Sequence, residues 1–140
     1  MHKQHKKVRA IDKQTLLLLL EMGKSSYPNE YMVLLEEENG VINNTFMTNG
    51  SSSEDSANIF TDMIPLGMKF AGTAHSHPIP PGYGNSPAMR EHMLHPSDQD
   101  LSTFCAIGNI HIIVSNPFDE TSWRAYNREG EEIHLEVIES

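Results

Sequence analysis

A chain of 140 residues that is 38% hydrophobic has enough apolar material for one folded domain and little room for a second, which argues against a disordered or multidomain protein. The formal net charge of −9 is unevenly spread: Lys3, Lys6, Lys7 and Arg9 are four of the ten basic residues, and from residue 11 onward six basic residues stand against 19 acidic ones, a balance of −13. So acidic a body repels a phosphate backbone, and nucleic acid is not an expected partner.

In chain order, residues 1–10 read as a flexible, solvated basic arm, and 11–140 as a single domain. Asp12 is placed to cap a helix over Lys13–Ser26, with Leu16, Leu17 and Leu20 turned to a core. The run Leu16–Leu20 ends at Glu21 with no small-residue cleavage site behind it. An export signal needs roughly 7–15 apolar residues, and a bilayer span about 20. A soluble, cytoplasmic protein without a membrane segment is therefore expected. Pro28 and Asn29 stop the helix. Glu30–Leu35 then reads as a strand, Glu36–Gly40 as a charged hairpin turn and Val41–Thr48 as the return strand. Asn49–Asn58 reads as a surface loop and Pro65–Met68 as a short helical turn.

Lys69–Ser76 reads as a buried strand that runs straight into two histidines. Beyond it, five of the eight prolines (Pro78, Pro80, Pro81, Pro87, Pro96) fall within residues 78–96, a long loop with room for one short helix capped by Ser86 and opened by Pro87. Ser97 caps a further helix over Asp98–Ala106. Ile110–Ser115, Ser122–Asn127 and Ile133–Ile138 complete the strands, which gives an α/β or α+β domain built on a mixed sheet.

The chemistry concentrates at His75-Ser76-His77. Residues two apart in a strand share a face, so the two imidazoles converge on one point. Imidazole nitrogen suits Zn²⁺, and a catalytic zinc site takes three protein ligands. The segment Ser97-Asp98-Gln99-Asp100 offers the third from the first turn of a helix. Cys105 is the only cysteine, so neither an internal disulfide nor a Cys-x-x-Cys metal site is possible; the latter excludes a zinc deaminase.

Glu30, His75-Ser76-His77-Pro78 and Pro96-Ser97-x-x-Asp100 together form a pattern that resembles the JAMM metalloproteases, the catalytic branch of the MPN-domain family, and above all its small archaeal members. Tyr27-Pro28-Asn29-Glu30, Met63-Ile64-Pro65-Leu66 and Ser122-Trp123-Arg124-Ala125-Tyr126 extend the likeness over nearly the whole chain. The resemblance implies a JAMM/MPN domain of cytidine-deaminase-like architecture, with one Zn²⁺ per chain held by His75, His77 and Asp100. It implies that Glu30 hydrogen-bonds and deprotonates the attacking water, and that Ser97 stabilises the oxyanion. Glu36, Glu37 and Glu38 rival Glu30 but fall in the expected turn, and Asp98 rivals Asp100 but lacks the serine-to-aspartate spacing.

The implied activity is hydrolysis of isopeptide or peptide bonds at the C-terminus of ubiquitin-like, β-grasp modifiers. Trimming of a sulfur-carrier protein, or a non-catalytic scaffold that binds a modifier, are the alternatives. One departure stands out. Small family members hold about ten residues between the second histidine and the aspartate, whereas 22 separate His77 from Asp100 here. The extra residues form a Pro-rich insertion at about 79–94, expected to gate the site or to line its substrate channel, with an inert surface excursion as the alternative. His92, inside it, and His95, just beyond, read as surface histidines.

Overall fold

The computed structural model describes residues 7–47, 70–84 and 86–139. The expected loop at 49–58, the helical turn at 65–68 and the Met63–Leu66 segment lie outside the described residues. Among the described residues, eight strands form one mixed sheet: β1 (Ala10–Asp12), β2 (Met32–Glu38), β3 (Val41–Phe46), β4 (Gly72–His77), β5 (Ile110–Ser115), β6 (Trp123–Tyr126), β7 (Glu132–Ile133) and β8 (Glu136–Ile138). Helix α1 (Lys13–Ser26) follows β1, while α2 (Pro87–Met93) and α3 (Asp98–Ala106) lie between β4 and β5. None of these helices is long and apolar enough to cross a membrane.

The leucine run becomes an amphipathic helix. Thr15, Leu16, Leu19, Leu20 and Gly23 are buried, while Leu18 remains 47% exposed. Gly23 allows a close approach, since a Cβ there would lie 2.4 Å from a ring carbon of Phe118. Asp12 takes the N-cap backbone conformation but makes no side-chain cap hydrogen bond. Residues 9 and 10, counted in the expected flexible arm, are held against the sheet. Ala10 is wholly buried in β1, Arg9 donates from its backbone to the Gly40 carbonyl, and its own carbonyl accepts from Glu136.

Alternation along the strands divides the sheet into two faces. Val33, Leu35, Ala74, Ile112, Val114 and Ala125 join Leu16, Leu19 and Leu20 of α1 in one cluster. Leu94, Phe104, Ile113 and Tyr126 cluster with the segment that carries α2 and α3. The expected turn at Glu36–Gly40 is narrower than composition suggested. Glu36–Glu38 continue β2, with a register shift between Glu36 and Glu37, and the turn itself is Asn39-Gly40 with φ of 54° and 83°. Both residues take the left-handed backbone that a two-residue hairpin needs. Asn44 and Asn43 donate to the Glu36 and Glu38 carboxylates, so cross-strand hydrogen bonds accommodate three successive acids in a strand.

The last expected strand, Ile133–Ile138, divides in two. The sheet order is β7-β6-β5-β4-β2-β3-β1-β8, so β7 and β8 stand at opposite edges. Only His134 and Leu135 separate them, and two linking residues span roughly 10 Å. The sheet must therefore curl until its edges almost meet. Leu135, buried at 3% exposure, belongs to the α1 cluster at that seam.

Candidate metal centre and active-site cleft

Strand β4 is central, antiparallel to β2 and parallel to β5. Its alternation sends Ser76 to one face and His75 and His77 to the other. Ser76 Oγ accepts from the Tyr31 backbone N–H at 3.0 Å, and Ser76 N donates to the Tyr31 carbonyl at 3.1 Å. Met32 is the register partner of His75, so Glu30, two residues before it, falls beside His77. The register thus carries an acidic side chain to the histidines across the sheet.

The third group arrives on α3. Ser97 and Asp100 form a full capping box: Ser97 Oγ accepts from Asp100 N at 3.1 Å, and Asp100 Oδ2 accepts from Ser97 N at 2.8 Å. This fixes the carboxylate before anything binds it. Asp100 Oδ1 lies 3.1 Å from His75 Nε2, Asp100 Oδ2 lies 2.9 Å from His77 Nε2, and the two Nε2 atoms are 3.1 Å apart. His75 is buried, at 3% exposure, against Phe104 of α3.

Nitrogens and carboxylate oxygens aimed at one point require positive charge between them, as protons or as a metal ion. The cluster fits zinc. Bonds of about 2.0–2.1 Å make the edges of a tetrahedron about 3.3 Å, close to the observed spacings, and the donor set of two imidazoles and a carboxylate is one that zinc accepts. His75, His77 and Asp100 are the group of potential metal ligands found among the described residues.

Electrostatics agree with the geometry. Burial pulls the Asp100 carboxyl upward, but hydrogen bonds from His75 and His77 outweigh it and hold the group well below the usual carboxylate range. Burial likewise pulls His77 down, yet the hydrogen bond and charge of Asp100, the Met93 carbonyl and the charge of Glu30 together lift it above the ordinary imidazole value.

Pro28, Asn29, Glu30, His77, Ser97 and Asp100 line one open cleft of about 670 Å³. Glu30 and Ser97 are exposed in it. The insertion forms part of its wall through His92 and Met93. Sequence reasoning missed the Met93 carbonyl, which lies 2.7 Å from His77 Nδ1. A main-chain acceptor leaves no trace in residue type. His95, read as a surface histidine, is exposed, borders the cleft and pairs with Glu91 at 3.3 Å.

No family model matches the chain. A curated relative from Haloferax volcanii, a probable metalloprotease, is 30% identical over 96% of this chain and 83% of its own length. Among solved structures, a JAB1/MPN domain protein from Archaeoglobus fulgidus is 38% identical with a TM-score of 0.69, over 93% of this chain and 99% of that one. A structure described as JAMM, a metalloprotease-like zinc site in the proteasome and signalosome, is 34% identical with a TM-score of 0.70, over 95% and 100%. A protein from Desulfitobacterium hafniense, 18% identical with a TM-score of 0.54, shares the fold.

Fold and donor cluster thus define an MPN-type domain with a metalloprotease-like zinc site. The chain belongs to the JAMM (JAB1/MPN) metalloprotease family, whose members hydrolyse protein substrates.

Proposed function

We propose that this protein is a zinc-dependent isopeptidase that releases ubiquitin-like, β-grasp modifiers from lysine side chains or linear fusions, with His75, His77 and Asp100 as the metal ligands. The observation that carries the reading is that Glu30, Ser97, His77 and Asp100 face one cleft, with buried His75 in contact with Asp100. Zinc bound there supplies Lewis acidity toward water and the scissile carbonyl. Glu30, beside His77 and outside the donor cluster, takes the proton from the attacking water and returns it to the leaving amine. Ser97 Oγ accepts from Asp100 N, which leaves its own O–H to donate to the oxyanion that develops in the transition state. The open cleft, bordered by Pro28, Pro78, Pro80 and Pro96, has room for an extended, small-residue tail lying against the site.

The test is hydrolysis of a lysine-linked modifier conjugate by protein of measured zinc content, with chelator and after zinc is restored. Cleavage that is abolished by chelation and recovered with zinc supports the proposal. Full cleavage by zinc-free protein, or none by zinc-loaded protein on both conjugate and linear fusion, overturns it.

A further inference from the structure

The insertion does more than border the cleft. His77 Nδ1 lies 2.7 Å from the Met93 carbonyl, the last residue of α2. A carbonyl only accepts, so Nδ1 carries the proton and Nε2 is left to face Asp100 and His75. The peptide that presents this carbonyl is held from behind. Tyr126 Oη donates to the next carbonyl, that of Leu94, at 2.7 Å. The Leu94 side chain is buried with Phe104, Ile113 and Tyr126, and the Leu94 N–H closes the helix on the Glu91 carbonyl. Further out, Arg124 binds Glu91 at 3.1 Å and Ser86 Oγ caps α2 by accepting from Met89 N.

We infer that residues 93–94 form a strap that fixes the tautomer and orientation of His77, and that Tyr126, through its hydroxyl on Leu94, is the positioning residue that holds the strap. Tyr126 of β6 pairs with His111 of β5, whose partner in β4 is Thr73, so the sheet fixes Tyr126 relative to the strand that carries His77. The path from β6 through Leu94 and Met93 to His77 therefore begins and ends on strands of one sheet. Burial pushes the Tyr126 phenol up to about 12, so the hydroxyl remains a donor at neutral pH.

The inference rests on His77 as a zinc ligand, and the experiment separates the two. Zinc affinity is measured by competition with a chromophoric chelator, alongside the visible spectrum of cobalt-substituted protein and the ring-nitrogen NMR shifts of His77. Losing a direct outer partner of a metal-bound histidine weakens binding about 10–100-fold. Tyr126→Phe acts one bond further out and should weaken zinc about three- to tenfold. It should also change the cobalt bands and shift the Nδ1 resonance. Leu94→Ala should weaken zinc at least as much. Leu20→Ala, destabilised through the α1 cluster on the other face of the sheet, should bind zinc as the parent does.

If Leu20→Ala loses affinity in proportion to its stability, as the other two do, the effect is global and the strap is overturned. Wild-type affinity and unchanged spectra in Tyr126→Phe overturn it as well, provided His77→Ala loses zinc. Zinc retained in His77→Ala overturns the ligand assignment together with the strap.

Discussion

Each polar group around the metal cluster has a different expected response to substitution, because each is held differently. His77→Ala removes one of three donors, and zinc measured by elemental analysis should fall far below one per chain. Glu30 lies beside His77 but outside the donor cluster. Glu30→Gln should therefore keep zinc and lose activity by a factor on the order of 10²–10⁴. Turnover near the parent's would move the proton-transfer role to another group. Ser97 has one role in the structure and a second in the proposed mechanism. Its Oγ closes the capping box, so Ser97→Ala should cost about 1 kcal/mol in thermal unfolding. A further loss of up to about 10²–10³-fold in turnover, with zinc retained, is the expected oxyanion contribution. A loss of turnover no larger than the unfolding shift explains would leave the capping role alone.

His111, on the far side of Phe104 from His75, is a residue whose titration bears on stability. It is wholly buried and stacked on Phe104; its Nε2–H donates to the Phe104 carbonyl, and its Nδ1 accepts from Thr73 Oγ1. Burial, then the charge of His75, lowers its pKa to about 4 from 6.5. The unfolded chain takes up this proton near pH 6.5, and the folded protein does so only near pH 4. The stabilisation is thus complete above pH 6.5 and is lost as pH falls toward 4, about 3 kcal/mol in all and roughly 2 kcal/mol of it by pH 5. Thermal unfolding of the wild type and of His111→Gln at pH 7.5 and pH 5 should show the smaller pH dependence in the variant. Equal slopes would mean that another group carries it.

Among the elements, the insertion is the one for which anchoring favours one expected role over another. The Pro-rich composition suggested a gate or a channel wall, and the segment is tied down at its two ends: Tyr27 Oη donates to the Ile79 carbonyl at 2.6 Å and Ile79 N to Asn116 Oδ1 at 2.7 Å at the start, and Tyr126 Oη donates to the Leu94 carbonyl at the finish. An element anchored at both ends acts as a wall more readily than as a lid. Shortening the segment to the family's usual length, with Met93 to Ser97 kept so that the contact to His77 survives, should lower activity toward a modifier conjugate. Activity toward a small peptide should show no rise. A rise on the small peptide would restore the lid.

For the whole molecule, the curl of the sheet decides what the C-terminal residues do. Leu135 sits where β7 leaves one edge and β8 joins the other, in the same cluster as Leu16, Leu19 and Leu20. Leu135→Ala should cost about 2–5 kcal/mol, the scale of a large-to-small core change. It should also speed amide exchange in β1 and β8 before it does so in β4 and β5. Uniform loss of protection would mean that the seam does not open separately. The same closure keeps β1, which pairs with both β3 and β8, from standing as a bare edge.

Much of the site was legible in the residues because its signals are local. Two-residue alternation brings His75 and His77 to one face, and Ser97-x-x-Asp100 builds a capping box within a single helical turn. The ends of α1 and α3 were legible for the same reason, since caps and breakers act on neighbouring residues. What depends on contacts between distant residues was decided by the tertiary structure. A three-residue strand such as β1 has no period to detect, and it exists because β3 and β8 flank it. Ile133–Ile138 carries the composition of one strand, yet edge pairing at both ends of a curled sheet divides it in two. The Glu36–Glu38 run reads as a turn by charge alone, and cross-strand asparagines hold it in β2. The Met93 carbonyl became part of the metal centre only when α2 folded back on β4, because a backbone acceptor is the same in every residue and only position gives it a role.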